Sequence, residues 1–156
     1  MKKLTLLSIA TILVMLVSLS KLSAQEAEKS PFEGVWELTQ LATNGSGSRV
    51  PIPGLMKFFN PDGQFFNLRV TQHGALITHG GSYQINDLQT YTETVKSEVK
   101  GAFYSLAGKI YKIRYSFNDD NTLLTLSGLV EGKEGVENLS YTEVWKRVEM
   151  KPVNPI

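Results

Sequence analysis

The stretch Lys57-Phe58-Phe59-Asn60-Pro61-Asp62-Gly63-Gln64-Phe65 decides the fold class of this chain. Its centre, Asn60 to Gly63, is a strong turn sequence, because proline fixes φ, aspartate bonds to the backbone and glycine adopts positive φ. Phenylalanines lie on both sides of the turn, and aromatic residues favour extended structure. The stretch therefore predicts a β-hairpin.

The same pattern repeats along the chain, with short runs rich in Val, Ile, Phe, Tyr and Thr between Gly, Asn, Asp and Pro. No window of helical length has a sustained apolar stripe with a period of about 3.6 residues. The predicted strands are Gly34 to Leu41, Leu55 to Phe59, Gln64 to Thr71, Ala75 to Ile85, Thr90 to Val99, Lys109 to Phe117, Thr122 to Val130 and Asn138 to Val148. Successive hairpins make a meander, and a meander of about eight strands commonly closes because closure removes exposed edges. We therefore predict an all-β fold, a single antiparallel up-and-down β-barrel.

The N-terminus has the pattern of a secretory signal peptide. Met1 to Lys3 form a basic head, Leu4 to Leu19 is almost entirely aliphatic, and Ala24 is a small residue before polar sequence. The apolar run is shorter than the roughly 20 residues that a spanning helix needs, which argues against a transmembrane anchor. We predict a signal peptide at 1–24, a flexible leader at 25–30, the barrel domain at 31–150 and a C-terminal tail at 151–156.

Composition narrows the class of protein. The chain has no cysteine, which excludes disulfides and the acylated cysteine of a bacterial lipoprotein, so we expect no stable membrane anchor after signal removal. Removing Lys2, Lys3 and Lys21 with the signal leaves 13 of the 16 basic residues against 15 acidic ones, a formal charge of −2. A nearly neutral domain lacks the basic surface that nucleic-acid binding requires. The expected location is the periplasm or the medium, and the oligomeric state stays open.

Gly34-Val35-Trp36, at the start of the first strand, is similar to the Gly-x-Trp signature of lipocalins and related calycin barrels. The longer pattern resembles a group of secreted bacterial lipocalin-like domains of unknown function, through the hairpin stretch above and through Gly81-Ser82-Tyr83-Gln84-Ile85, Tyr91-Thr92-Glu93 and Glu143-Val144-Trp145-Lys146-Arg147. The resemblance implies a barrel fold and an export route but no particular ligand. It also implies that Arg147 packs its guanidinium over Trp36 and closes the barrel.

Alternation along the strands predicts which side chains point inward. The predicted inward residues are Tyr111, Ile113, Tyr115 and Phe117, then Phe66, Leu68 and Val70 with Phe65, Asn67 and Arg69 outward, and Leu124 and Leu126 near the end of the chain. Two Tyr-Thr-Glu triplets, at 91–93 and 141–143, place a tyrosine and a glutamate on the same inward faces.

Glu93 and Glu143 need an explanation, because a buried carboxylate without a partner is energetically costly. In one interpretation, Glu143 pairs with Arg147 on a solvated face and Glu93 lies at a barrel mouth. In the other, polar residues orient a small molecule while aromatic residues enclose its apolar part. The candidate ligand-binding residues are then Phe66, Tyr91, Glu93, Tyr111, Tyr115, Tyr141 and Glu143.

No motif in the sequence indicates a catalytic or metal site. His73 and His79 are the only histidines, too few for a typical zinc site, and His79 is expected to face solvent beside two glycines. We expect no metal and no cofactor. The leading hypothesis is a non-enzymatic protein that holds a small apolar or amphipathic molecule inside the barrel. Two alternatives stay open: a filled barrel that acts through its surface as an inhibitor or accessory subunit of a cell-envelope complex, and an enzyme that uses Glu93 and Glu143 as acid and base.

Overall fold

The structure, a computed structural model, describes residues 30–46, 50–99, 105–132 and 134–151 of the 156 in the chain. The predicted signal peptide at 1–24, the leader residues 25–29 and the tail residues 152–156 lie outside the described ranges. Within these ranges there is no helix of the length and hydrophobicity that crossing a membrane requires.

Eight strands form the fold: β1 (Gly34–Thr43), β2 (Leu55–Phe59), β3 (Gln64–Thr71), β4 (Gly74–Ile85), β5 (Thr90–Glu98), β6 (Ile110–Phe117), β7 (Leu123–Val130) and β8 (Leu139–Arg147). Each strand pairs with the next, and β8 pairs antiparallel with β1, so the sheet is a closed barrel in sequence order. The predicted all-β class, strand number and up-and-down order are confirmed. Strand ends differ from the predicted ones by at most two residues.

One end of the barrel is filled by aromatic side chains. Phe32, which precedes β1, is fully buried, and its ring centroid lies 4.7 to 5.2 Å from the rings of Phe59, Tyr91, Tyr115 and Phe117. Trp36 Nε1 donates a hydrogen bond of 2.8 Å to the carbonyl oxygen of Phe32. Such clusters of edge-to-face rings fill space efficiently, so this half of the barrel is packed solid.

Arg147 closes the same end over Trp36. Its guanidinium carbon lies 4.1 Å from the centroid of the Trp36 ring, and the two residues are paired across β8 and β1. Arg147 also donates hydrogen bonds to the carbonyl oxygens of Glu33 at 2.7 Å and Asn121 at 3.0 Å. The contact that the lipocalin resemblance implies is therefore present, and it ties the segment before β1 to the last strand.

The predicted faces of β3 are inverted. Phe65 and Asn67 are buried, whereas Phe66 lies on the outer face and stacks on Phe58 with a centroid distance of 4.4 Å. Phe58 and Phe66 are directly paired across β2 and β3, and such cross-strand aromatic pairs stabilise a sheet from outside as well as from inside. The prediction that Phe66 points into the barrel is therefore wrong, because the strand has apolar residues on both faces.

Other strands have the faces that alternation predicts. Ile113, Leu124 and Leu126 are each at most 3% exposed. Tyr91 and Glu93 on β5 are buried as well. The interior of the barrel therefore contains at least one carboxylate, as the sequence indicates.

Irregular pairing of β4 with its two neighbours determines which side chains in the middle of the barrel point inward. The register of β3 with β4 shifts after Asn67, and the register of β4 with β5 shifts at Gly80 and Gly81. A Cβ added to Gly81 would lie 1.9 Å from the carbonyl oxygen of Thr94, so only glycine permits this approach of the two strands. His79 is paired with Asn67, and the two side chains therefore share the inner face.

Candidate functional site

The half of the barrel away from Phe32 contains a cavity of about 180 Å³. Its lining reaches Thr43, Val130 and Leu139, which lie at the ends of β1, β7 and β8 opposite to the aromatic cluster. The apolar lining residues are Leu41, Val95, Leu106, Ile113, Val130 and Leu139. The larger polar ones are Lys57, Asn67, His79, Glu93, Tyr111, Tyr141 and Glu143. The cavity is thus amphipathic, with many polar groups for its size.

Lys57 and Glu93 form a buried ion pair in the cavity wall. Lys57 Nζ contacts Glu93 Oε1, and the two side chains are only 4% and 5% exposed. Tyr91 donates a hydrogen bond of 2.7 Å to the same carboxylate oxygen. The ammonium group also lies 4.9 Å from the ring centroid of Phe65 and 5.4 Å from that of Phe59, within the range of cation–π attraction. Glu93 is therefore neutralised by Lys57, a residue that the sequence analysis does not single out.

Glu143 lines the same cavity without a cation of its own. Its Oε2 accepts a hydrogen bond of 2.9 Å from Trp145 Nε1. Among the described residues, the ion pairs are Lys57 with Glu93 and Lys109 with Glu131. The interpretation in which Glu143 pairs with Arg147 is therefore wrong, because Arg147 donates hydrogen bonds to backbone carbonyl oxygens at the closed end.

The pKa of Glu143 reflects this isolation. Burial raises it above the ordinary value of a glutamate, and the negative charge of Glu93 acts in the same direction. The positive charge of Lys57 and the hydrogen bond from Trp145 oppose the rise without cancelling it. The ionised form of Glu143 is thus incompletely stabilised in this cavity.

His79 faces the cavity, so the prediction of a solvent-facing histidine is wrong. Its Nδ1 lies 3.3 Å from Thr78 Oγ1, and its ring packs edge-on against Phe65 with a centroid distance of 6.1 Å. Burial, followed by the positive charge of Lys57, lowers the pKa of His79 to about 4. The imidazole is therefore neutral at neutral pH and adds hydrogen-bonding capacity but no charge.

Two buried polar atoms at the cavity have no hydrogen-bond partner in the part of the chain that the structure describes: Asn67 Oδ1 and Tyr111 Oη. Buried polar groups are nearly always paired, and an unpaired one costs about 1–3 kcal/mol. Both residues line the cavity. A molecule held inside can therefore satisfy them.

Tyr141 and Tyr111 complete the polar lining. Burial raises the pKa of both hydroxyls, so both remain protonated at neutral pH and can donate as well as accept. The Tyr141 hydroxyl fits because its cross-strand neighbour is Gly128, where an added Cβ would come within 2.6 Å of it.

The structure brings most of the predicted site residues together. Those that line the cavity are Glu93, Tyr111, Tyr141 and Glu143. Tyr91 donates a hydrogen bond to the Glu93 carboxylate. Tyr115 belongs to the aromatic cluster and donates a hydrogen bond of 2.9 Å to the carbonyl oxygen of Asp87. Over the described ranges, no group of three or more His, Asp or Glu residues is arranged to hold a metal ion.

Comparisons with known proteins agree with this architecture. The solution NMR structure of lipocalin 12 from rat epididymis is similar, with a TM-score of 0.50 and 16% sequence identity over 76% of this chain and 66% of that one. The chain thus spans slightly less than two thirds of that protein, and at this identity the likeness concerns the fold. No curated protein matches the chain significantly in sequence. Residues 31–156 match the family described as Domain of unknown function (DUF4488). Because this match spans most of the chain, the protein, with its lipocalin-like barrel, belongs to that family.

Proposed function

We propose that this protein binds a small amphipathic molecule in the cavity without changing it chemically. The observation that carries the proposal is the presence of Asn67 Oδ1 and Tyr111 Oη, both buried, both unpartnered in the described chain and both at the cavity wall. Buried polar atoms of a stable core are nearly always hydrogen-bonded, so two unpaired ones at one cavity wall support a bound molecule that pairs with them. The lipocalin-like fold is also in keeping with ligand binding in the barrel interior.

The size of the cavity limits the ligand. Its volume of about 180 Å³ slightly exceeds the roughly 150 Å³ of an engineered cavity that binds benzene. It is smaller than the pockets of about 300–1,000 Å³ that hold drug-sized molecules. The ligand class is therefore a compact molecule comparable to a substituted benzene ring, rather than a long-chain lipid.

The interior favours binding over the two alternatives from the sequence. A barrel that acts only through its surface needs no cavity, whereas here only the half around Phe32 is filled. An acid and base pair needs two carboxylates that are free to exchange protons with a substrate, and Glu93 is held by Lys57 and Tyr91. Both arguments support a binding protein.

Two neighbouring residues of β7 provide a matched test. Val130 lines the cavity, whereas Leu129 points outward and is 52% exposed. Val130→Trp should fill the cavity and abolish the binding of benzyl alcohol measured by calorimetry, whereas Leu129→Trp adds the same indole outside and should bind as the native protein does. Native mass spectrometry should also detect a small molecule that is released on denaturation. Unchanged binding by Val130→Trp, or no copurifying molecule together with no uptake of benzyl alcohol, would contradict the proposal.

We also propose that the protein is exported, to the periplasm or the medium. The support is the sequence of the first 24 residues, with its basic head, aliphatic run and Ala24. Intact-mass analysis of protein from the extracytoplasmic fraction should give a chain that begins at Gln25. A chain that retains Met1 to Ala24 in that fraction would refute the predicted cleavage.

A further inference from the structure

The ionisable groups around the cavity do not balance in charge. The Lys57 ammonium is matched by the Glu93 carboxylate. Glu143 has a hydrogen bond from Trp145 but no cation within ion-pair distance among the residues described. His79 is neutral at neutral pH, and the tyrosines are protonated. Glu143 is therefore the group whose ionised form lacks a counter-charge.

This imbalance discriminates between classes of ligand. A buried carboxylate is costly without a compensating charge, so a ligand that carries a positive charge removes an existing deficit. An anionic ligand would meet two carboxylates, and the Lys57 ammonium group in the cavity wall is already in contact with Glu93. A neutral ligand would leave Glu143 as it is. Electrostatics thus favours a cation.

Resting on the function proposed above, we propose that the ligand is a small primary amine whose ammonium group binds Glu143. The ammonium group has three donors, and hydrogen bonds between charged groups are about twice as strong as neutral ones. Asn67 Oδ1 and Tyr111 Oη provide further acceptors in the same cavity. The apolar part of the amine lies against the aliphatic lining, including Leu41, Val95 and Ile113.

Three probes of similar size test the class of ligand: benzylamine carries an ammonium group, benzyl alcohol a hydroxyl group and benzoate a carboxylate, each attached to a benzene ring that fits the cavity. Binding is measured at pH 7 by calorimetry and by the fluorescence of Trp145, whose indole donates to Glu143. We expect benzylamine to bind at least about tenfold more tightly than benzyl alcohol, and benzoate not to bind detectably.

A charge-removing substitution locates the ammonium group. Glu143→Gln keeps an oxygen acceptor for Trp145 but removes the charge, so the affinity for benzylamine should fall by about tenfold or more while that for benzyl alcohol stays the same. Glu37→Gln removes an exposed carboxylate from the outer face of β1 and should change neither. The unchanged affinity for benzyl alcohol shows that the variant is folded with its cavity intact.

A pH series on the native protein gives a second measurement if Glu143→Gln does not fold. The titratable groups that line the cavity with Glu143 are Tyr141 on the same strand and, on other strands, Lys57, His79, Glu93 and Tyr111. Lowering the pH through the raised pKa of Glu143 should weaken benzylamine binding but not benzyl alcohol binding, and the series stops above the His79 pKa of about 4, so that the imidazole stays neutral throughout. Equal affinities of benzylamine and benzyl alcohol in the native protein would overturn the amine inference and leave the proposed function standing. Failure of all three probes to bind would overturn both.

Discussion

Replacing Glu93 with glutamine removes one half of a buried ion pair, and the structure sets the size of the effect. Removal of one partner from a buried pair costs about 3–5 kcal/mol, because the remaining charge stays buried. The lower end of this range applies here, because other groups still stabilise the Lys57 ammonium group. The ring centroids of Phe65 and Phe59 remain 4.9 and 5.4 Å from it, and the Glu143 carboxylate lines the same cavity. Glutamine still accepts the hydrogen bond from Tyr91. We expect a loss of about 3 kcal/mol in the free energy of unfolding.

Urea denaturation measures this loss through the fluorescence of Trp36 and Trp145, both fully buried and therefore exposed on unfolding. For a domain of this size, 3 kcal/mol corresponds to a decrease of roughly 12 °C in Tm. Lys57→Met should show a comparable loss, because it leaves Glu93 buried without its cation. The double variant Lys57→Met/Glu93→Gln should return to within about 1 kcal/mol of the native protein, since apolar replacements of buried pairs are often neutral.

The double-mutant cycle decides whether the two residues act as a pair. Losses of about 3 kcal/mol in each single variant and at most about 1 kcal/mol in the double variant correspond to a coupling energy of about 5 kcal/mol. Losses in the two single variants that simply add up in the double variant, or a loss below about 1 kcal/mol for Glu93→Gln, would show that the pair is solvated and not buried. Either result would refute the reasoning.

Three further variants test the packing and the titration of the barrel. Trp36→Ala should lower the free energy of unfolding by about 3–5 kcal/mol in urea denaturation, because it removes a fully buried aromatic residue. Gly81→Ala should cost about 3 kcal/mol in the same measurement, since its Cβ would meet the carbonyl oxygen of Thr94 at 1.9 Å; a loss below about 1 kcal/mol would contradict the close approach of the two strands. The pKa of His79 is about 4 in the folded protein, whereas in the unfolded chain it is about 6.5. The unfolded chain therefore takes up a proton between these pH values while the folded protein does not. The free energy of unfolding should decrease as the pH falls through this window, by about 2 kcal/mol from pH 6.5 to 5. His79→Gln should lack this decrease, and an equal pH dependence of the two proteins in urea denaturation would show that His79 is accessible to protons.

The fold could be predicted from the sequence because local signals determine it. The Asn60 to Gly63 turn and the period-two alternation are properties of neighbouring residues, and they place each strand within two residues of its observed ends. Strand order follows because consecutive hairpins leave little choice of neighbour. The contact of Trp36 with Arg147, by contrast, was implied by the lipocalin resemblance and not by alternation.

The residues that line the cavity could be predicted only in part, because several of them are polar and the alternation rule assigns apolar residues to the interior. Alternation assigns the more apolar face to the interior, and on β3 the more apolar face lies outside while Asn67 lies inside. Lys57 and His79 escape the rule for related reasons: a lysine is ordinarily exposed, and the irregular register of β4 fixes the direction of His79. Pairing of Lys57 with Glu93 joins β2 to β5 across the barrel, and no local pattern contains that contact.

The contrast between the two halves of the barrel is itself an argument for function. At the closed end, the side chain of Phe32 fills the barrel interior and packs against other aromatic rings. Stability alone would favour apolar residues at the opposite end too, because buried ion pairs seldom stabilise more than well-packed apolar side chains of similar volume. The chain instead places Lys57, Asn67, Glu93 and Glu143 around an open volume. Proteins depart from the rules of stable packing chiefly where a site requires it, and this departure is why we propose the binding site in the polar half of the barrel.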